Sequence, residues 1–131
     1  MATIKSYTDI EQSKKLAEIL PLESADMFYA DLLVDSKHQY ISHYLETYGF
    51  KTFEDTKQKE SKHLSFIPCW SLAALLNVLP EYNLQRTDWG NKTEYKIVVT
   101  TDEDNYASKN YDNPVDACVA MIENLHELNL L

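Results

Sequence analysis

The stretch NLQRTDWGNKTEYKIVVTT, residues 83–101, decides the fold class. Before and after it the apolar residues recur at helical spacing; within it the period falls to two. Tyr95, Ile97 and Val99 face one way and Lys96, Val98 and Thr100 the other, as in a strand covered on one side. Gly90-Asn91 supplies a two-residue turn between two extended segments. The spacing predicts a hairpin with strands over 83–89 and 94–101. DEDN (102–105) makes a second turn, and YASKNY (106–111) returns as a third, irregular strand.

Helical patterns surround this hairpin. In FIPCWSLAALLNVLPE (66–81), Leu72, Leu75, Leu76 and Leu79 fall at i, i+3, i+4, i+7. Pro68 suits a first helical turn and Pro80 ends the run, predicting a helix over 69–79. NPVDACVAMIENLHELNLL (113–131) offers Asn113 as N-cap and Pro114 at the first helical position. Val115, Cys118, Val119, Ile122 and Leu125 line one face, and Asp116, Glu123, Asn124 and Glu127 the other. A helix over 114–128 follows. TDIEQSKKLAEIL (8–20) opens with a Thr8/Glu11 capping box and stops at Pro21, predicting a helix over 9–20.

The middle of the chain is less regular. SADMFYADLL (24–33) reads as a short strand near Asp26–Ala30. SKHQYISHYLETYG (36–49) carries Ser36 and Gln39 as a second capping box. Its Ile41, Tyr44, Leu45 and Tyr48 form a helical stripe, predicting a helix over 37–48 closed by Gly49. Residues 50–64 are strongly polar and read as a solvated, mobile loop. The sum is one α+β domain spanning residues 1–131. We expect a small antiparallel sheet of about three to four strands, packed by about three to four helices.

Composition narrows function by exclusion. The chain has 131 residues, 12 basic and 21 acidic, for a net charge of −9. Arg86 is its sole arginine. Phosphate backbones demand clustered Lys and Arg, so direct nucleic-acid binding is not expected, nor is binding to an anionic membrane. The opening MATIKSYTDIEQSKK lacks the apolar core of a secretory signal, and no apolar run is long enough to span a bilayer. A cytoplasmic protein with its two cysteines, Cys69 and Cys118, reduced is the expectation.

Three phrases read together: LPLESADMFY (20–29), IPCWSLAALLNVLP (67–80) and the C-terminal segment 113–131. They resemble a group of small, uncharacterised bacterial proteins associated with prophages and mobile elements. The resemblance covers about half the chain and leaves out 36–64. It implies an α+β fold with a short antiparallel sheet, and brings no activity and no catalytic residues.

Cys69 is the sharpest candidate for chemistry. A thiol at a helix N-terminus has its pKa lowered by the helix dipole, and a Cys-Trp pair at a helix start is similar to papain-like proteases. Such enzymes need a histidine beside the thiol; His126 follows on a helix, and His63 precedes in the polar loop. The alternative is a small packed residue. His38, His43, His63 and His126 lack metal-site spacing, so no metal is expected. Two glycines, Gly49 and Gly90, cannot build a phosphate-cradling loop, so no cofactor is expected either. Nine tyrosines are many for this length. Tyr40, Tyr44 and Tyr48 recur every four residues and are a candidate interface, since tyrosine joins apolar area to a polar tip. Asp102, Glu103, Asp104, Asp112 and Asp116 would suit an acidic decoy imitating DNA, although such runs are commonly solvated faces. The leading expectation is a non-enzymatic accessory protein that binds another protein or a second copy of itself. A cysteine-dependent enzyme using Cys69 and a DNA-mimic decoy are the alternatives.

Overall fold

A computed structural model describes residues 4–34, 37–41 and 64–131, with backbone alone for 30–34, 37–41 and 64–66. The fold is α+β, and among the described residues the strands form two three-stranded antiparallel sheets. In chain order the elements are α1 (Ile10–Ile19), a 3-10 turn (Leu22–Ser24), β1 (Met27–Val34), β2 (Lys37–Ile41), β3 (Leu64–Cys69), α2 (Leu72–Val78), β4 (Tyr82–Trp89), β5 (Lys92–Thr100), β6 (Asn105–Ala107) and α3 (Pro114–Glu127). The first sheet has the order β2-β1-β3 and the second β4-β5-β6.

Helix α3 is the hub. Asn113 caps it by accepting from the Asp116 amide at 2.8 Å, and Pro114 opens its first turn, as the sequence requires. Its predicted stripe is buried, and Ala117 and Met121 join it. The helix packs on β5 and touches α1 and α2. Ile97 and Val99 of β5, Leu75 and Trp70, and Leu16 of α1 complete one apolar core. Past its end, Asn129 adopts φ 58°, and Leu130 N–H reaches the Leu125 carbonyl at 2.8 Å. That arrangement satisfies carbonyls the helix leaves open.

Helix α1 begins one residue later than the Thr8 box predicts. Asp9 is the cap, accepting from the Gln12 amide at 2.8 Å, while the Gln12 side chain accepts from the Asp9 amide at 3.1 Å. Thr8 is buried and its hydroxyl is committed elsewhere, to Ser13 and to the Trp70 amide. Helix α2 likewise starts at Leu72, capped by Ser71, so Pro68 and Cys69 belong to β3. The N-terminal segment fixes this junction: Thr8 N–H donates to the Trp70 carbonyl and Leu72 N–H to the Ser6 carbonyl, both at 3.0 Å.

The reading of 37–48 as a helix is corrected over its first five residues. Lys37–Ile41 is a strand, paired antiparallel with β1 from Ala30↔Ile41 to Val34↔Lys37. Of the stripe that suggested a helix, only Ile41 lies in this segment. Pairing with the longer-than-expected β1 overrides local periodicity, as sheet context commonly does. Residues 42–48, Ser36 and the polar segment 50–63 lie outside the described residues; Leu64 opens β3.

The predicted hairpin is β4–β5, in unbroken register from Tyr82↔Val99 to Trp89↔Lys92. Gly90 takes φ +67° at the first loop position, where a tight hairpin turn favours glycine. The third strand, β6, is Asn105–Ala107: it starts one residue earlier than YASKNY predicts and keeps only Tyr106 and Ala107 of it.

Candidate interaction surface

Cys69 sits at the inner end of β3, opposite Met27 of β1, and is 1% exposed. Its neighbours are Met27, Tyr29, Tyr7, Ile10 and Ile67. The thiol reaches the Thr8 carbonyl at 3.5 Å; the Thr8 hydroxyl lies 3.5 Å from the sulfur and 2.8 Å from the Ser13 hydroxyl. Tyr29 donates to the same Thr8 carbonyl at 2.6 Å. Burial pushes the Cys69 thiol up, only partly offset by hydrogen bonds from Thr8, Ser13 and Tyr29. Burial pushes Cys118 on α3 up to about 12. A nucleophilic thiol needs the reverse, an exposed sulfur with a lowered pKa. Among the described residues the hydrogen-bond partners of Cys69 include no histidine; His63 lies outside them, and His126 is exposed near Lys15 and Glu18. No buried side-chain nitrogen or oxygen among the described residues lacks a partner. The cluster therefore presents no open valence to a ligand and serves to knit α1, β1 and β3 together.

Of the three candidate tyrosines, Tyr40 lies on β2 opposite Asp31. Tyr44 and Tyr48 lie outside the described residues. Among the described residues no three His, Cys, Asp or Glu side chains gather as a metal site. None of the described helices is long and apolar enough to cross a membrane.

The acidic second half is partly consumed by structure. Asp116 accepts from Lys5 at 2.9 Å, Gln12 at 2.8 Å and Asn113 at 2.8 Å, and Lys5 also reaches Asp9 at 2.9 Å. Burial works against the Asp116 carboxylate, but Lys5, Asn113 and Gln12 outweigh it and hold its pKa below the usual range. Asp9 is lowered in the same way: Gln12 and Lys5 outweigh its partial burial. This latch ties the N-terminal segment to the starts of α1 and α3. Asp102, Glu103 and Asp104 stay exposed in the β5–β6 turn.

A different feature stands open. In β4, Leu84 is half-buried and the other seven residues are exposed. Tyr82 is 42% and Trp89 63% exposed, large areas for aromatic side chains. Among the described residues β4 has a single neighbour, β5. The direction of its free backbone groups follows from the register. Thr100 N–H donates to the Glu81 carbonyl at 3.0 Å, and Glu81 stands directly opposite Thr100 by extension of the ladder. Hydrogen-bonded pairs alternate in an antiparallel ladder. Asn83, Gln85, Thr87 and Trp89 therefore point their amides and carbonyls at β5. Tyr82, Leu84, Arg86 and Asp88 point theirs away from it.

Natural sheets blunt such edges with short strands, prolines, bulges or charged side chains, lysine above all. At the other edge of this sheet, β6 has three residues, and its continuation slips by one position at the Tyr95–Tyr111 bridge. β4 has eight residues, no proline, no lysine and no break in register, and its two charges, Arg86 and Asp88, are paired with each other. Beside its start an open groove of about 560 Å³ runs along α2, lined by Ala73, Leu76, Asn77, Pro80 and Tyr82 among others. Sequence reasoning identified the hairpin and passed over this edge. The absence of proline and lysine from YNLQRTDW was the available signal, but only sheet order makes it an edge.

Comparison with protein-family models, curated proteins and solved structures finds no match to this chain.

Proposed function

We propose that the protein works by binding another protein chain, as a cytoplasmic accessory factor. The observation that carries this reading is the β4 edge: eight regular residues with four outward sets of backbone donors and acceptors, flanked by exposed Tyr82 and Trp89. An extended segment added to such an edge gains main-chain hydrogen bonds without rearrangement of the host sheet. Aromatic side chains at its ends provide the area that anchors interfaces. The net charge of −9 disfavours nucleic-acid backbones as the alternative partner.

Capture from an extract of the native host tests the reading, with immobilised wild type compared against Arg86→Pro. Arg86 directs its N–H away from β5, so proline there spares the hairpin ladder while blocking strand addition. A chain held by the wild type and released by Arg86→Pro, whether a host protein or an untagged copy of this one, is the expected result. Identical captures by both would remove β4 as the binding element.

A further inference from the structure

We propose that the chain received by β4 is β4 of a second copy, paired antiparallel about a two-fold axis to join the two β4-β5-β6 sheets into one of six strands. The inference rests on the protein-binding reading above and names its partner. A two-fold axis normal to a sheet brings outward-facing residues of one edge opposite outward-facing residues of the other, so an antiparallel edge can complement itself. The side chains select the register. If Arg86 met Arg86, like charges would stand directly opposite, which destabilises a ladder. A shift that centres the axis on Gln85 avoids this and uses the whole strand. Leu84 then lies opposite Arg86 of the second copy, covered by its aliphatic stem. Tyr82 lies opposite Asp88 of the second copy, Asn83 opposite its Thr87, and Gln85 opposite its Gln85.

Charge supports a self-partner at this edge. Each copy carries −9 overall, yet β4 holds one cation and one anion, Arg86 and Asp88, paired at 3.3 Å. The edge is locally neutral, so the strand itself adds no like-charge repulsion between two copies, and salt screens what the rest of each chain supplies. A basic partner would instead be drawn to the carboxylates, and salt would loosen it.

The test is sedimentation of purified protein over a concentration series at low and high salt, with two variants. Wild type is expected to double in mass as concentration rises, at lower concentration in high salt. Arg86→Pro is expected to stay monomeric with its circular dichroism unchanged, and Arg86→Ala, which keeps the amide, to dimerise. Gln85→Cys is expected to form an intermolecular disulfide under mild oxidation, because non-hydrogen-bonded cross-strand pairs bring Cα atoms to about 4.5 Å. The native Cys69 and Cys118 are buried and do not compete. A wild type that remains monomeric throughout overturns the self-pairing and leaves the binding reading to the capture experiment. A dimer that survives Arg86→Pro, or that weakens with salt, also overturns it.

Discussion

β4 and β5 are the two arms of one hairpin, joined by two residues, of nearly equal length, and in continuous register. Yet β5 buries Tyr95, Ile97 and Val99, while β4 buries none of its residues. On the helix-facing side Tyr82 stands beside Val99 and Leu84 beside Ile97, so both arms present apolar residues to the same face. The difference lies in what covers them. α3 lies over β5, and that cover thins before it reaches β4. One arm thus holds the fold and the other is left available; three experiments can break or sharpen that division, and a fourth probes the fold outside the hairpin.

The largest effect is expected in β5. Ile97→Ala removes a side chain with 0% exposure from the α3 contact and should cost about 2–5 kcal/mol. Its cross-strand neighbour Leu84→Ala should cost at most about 1.5 kcal/mol. Urea denaturation of both variants measures the contrast; equal losses would mean that β4 shares in the core.

Next comes the turn that joins the arms. A Cβ at Gly90 would meet nothing within 4 Å, so Gly90→Ala is opposed by backbone conformation alone at φ +67°. It should cost about 1–2 kcal/mol, read by thermal melting.

Acid acts away from the hairpin, on the latch. Asp9 and Asp116 have lowered pKa values in the fold. Their contribution is present above the unfolded carboxyl value of about 3.9 and is lost as pH falls from there through the folded values. Melting temperature should drop below about pH 4, and less steeply in Asp116→Asn, whose own melting temperature at neutral pH should be lower. An unchanged acid slope would mean the Lys5–Asp116 pair contributes nothing.

The smallest effect on stability belongs to the exposed arm. Trp89→Ala should change unfolding free energy by no more than about 0.5 kcal/mol, measured by urea denaturation, while weakening whatever β4 binds. A large loss would reveal that Trp89 is packed and the edge is not free.

How much of this was legible in the sequence varies by element. α3 was, because Asn113-Pro114 and a stripe of five apolar residues agree on start, phase and burial. β5 was, because its period-two pattern is pinned by Gly90. β2 was misread over Lys37–Ile41, where a five-residue strand owes its state to β1 rather than to its own pattern. Cys69 was misplaced by three residues, because Pro68 is as acceptable in a strand beside β1 as in a helical first turn. The shift matters chemically: it moves the thiol from a helix dipole into a buried hydrogen-bonded cluster. The same tertiary demand moved the α1 cap from Thr8 to Asp9.

The sequence by itself determined the α+β class, three of the four helices it predicts and the hairpin with its glycine turn, since local hydrogen bonding, capping and side-chain periodicity suffice for these. It also determined a charge of −9 that disfavours phosphate partners. Tertiary structure alone decided that the described strands divide into two sheets, that Cys69 and Cys118 are sealed, that Lys5 and Asp116, 111 residues apart, are partnered, and that β4 is an edge among the described residues. Each of these depends on which segments meet across long loops, and a residue's local pattern carries no record of the neighbour that will, or will not, cover it.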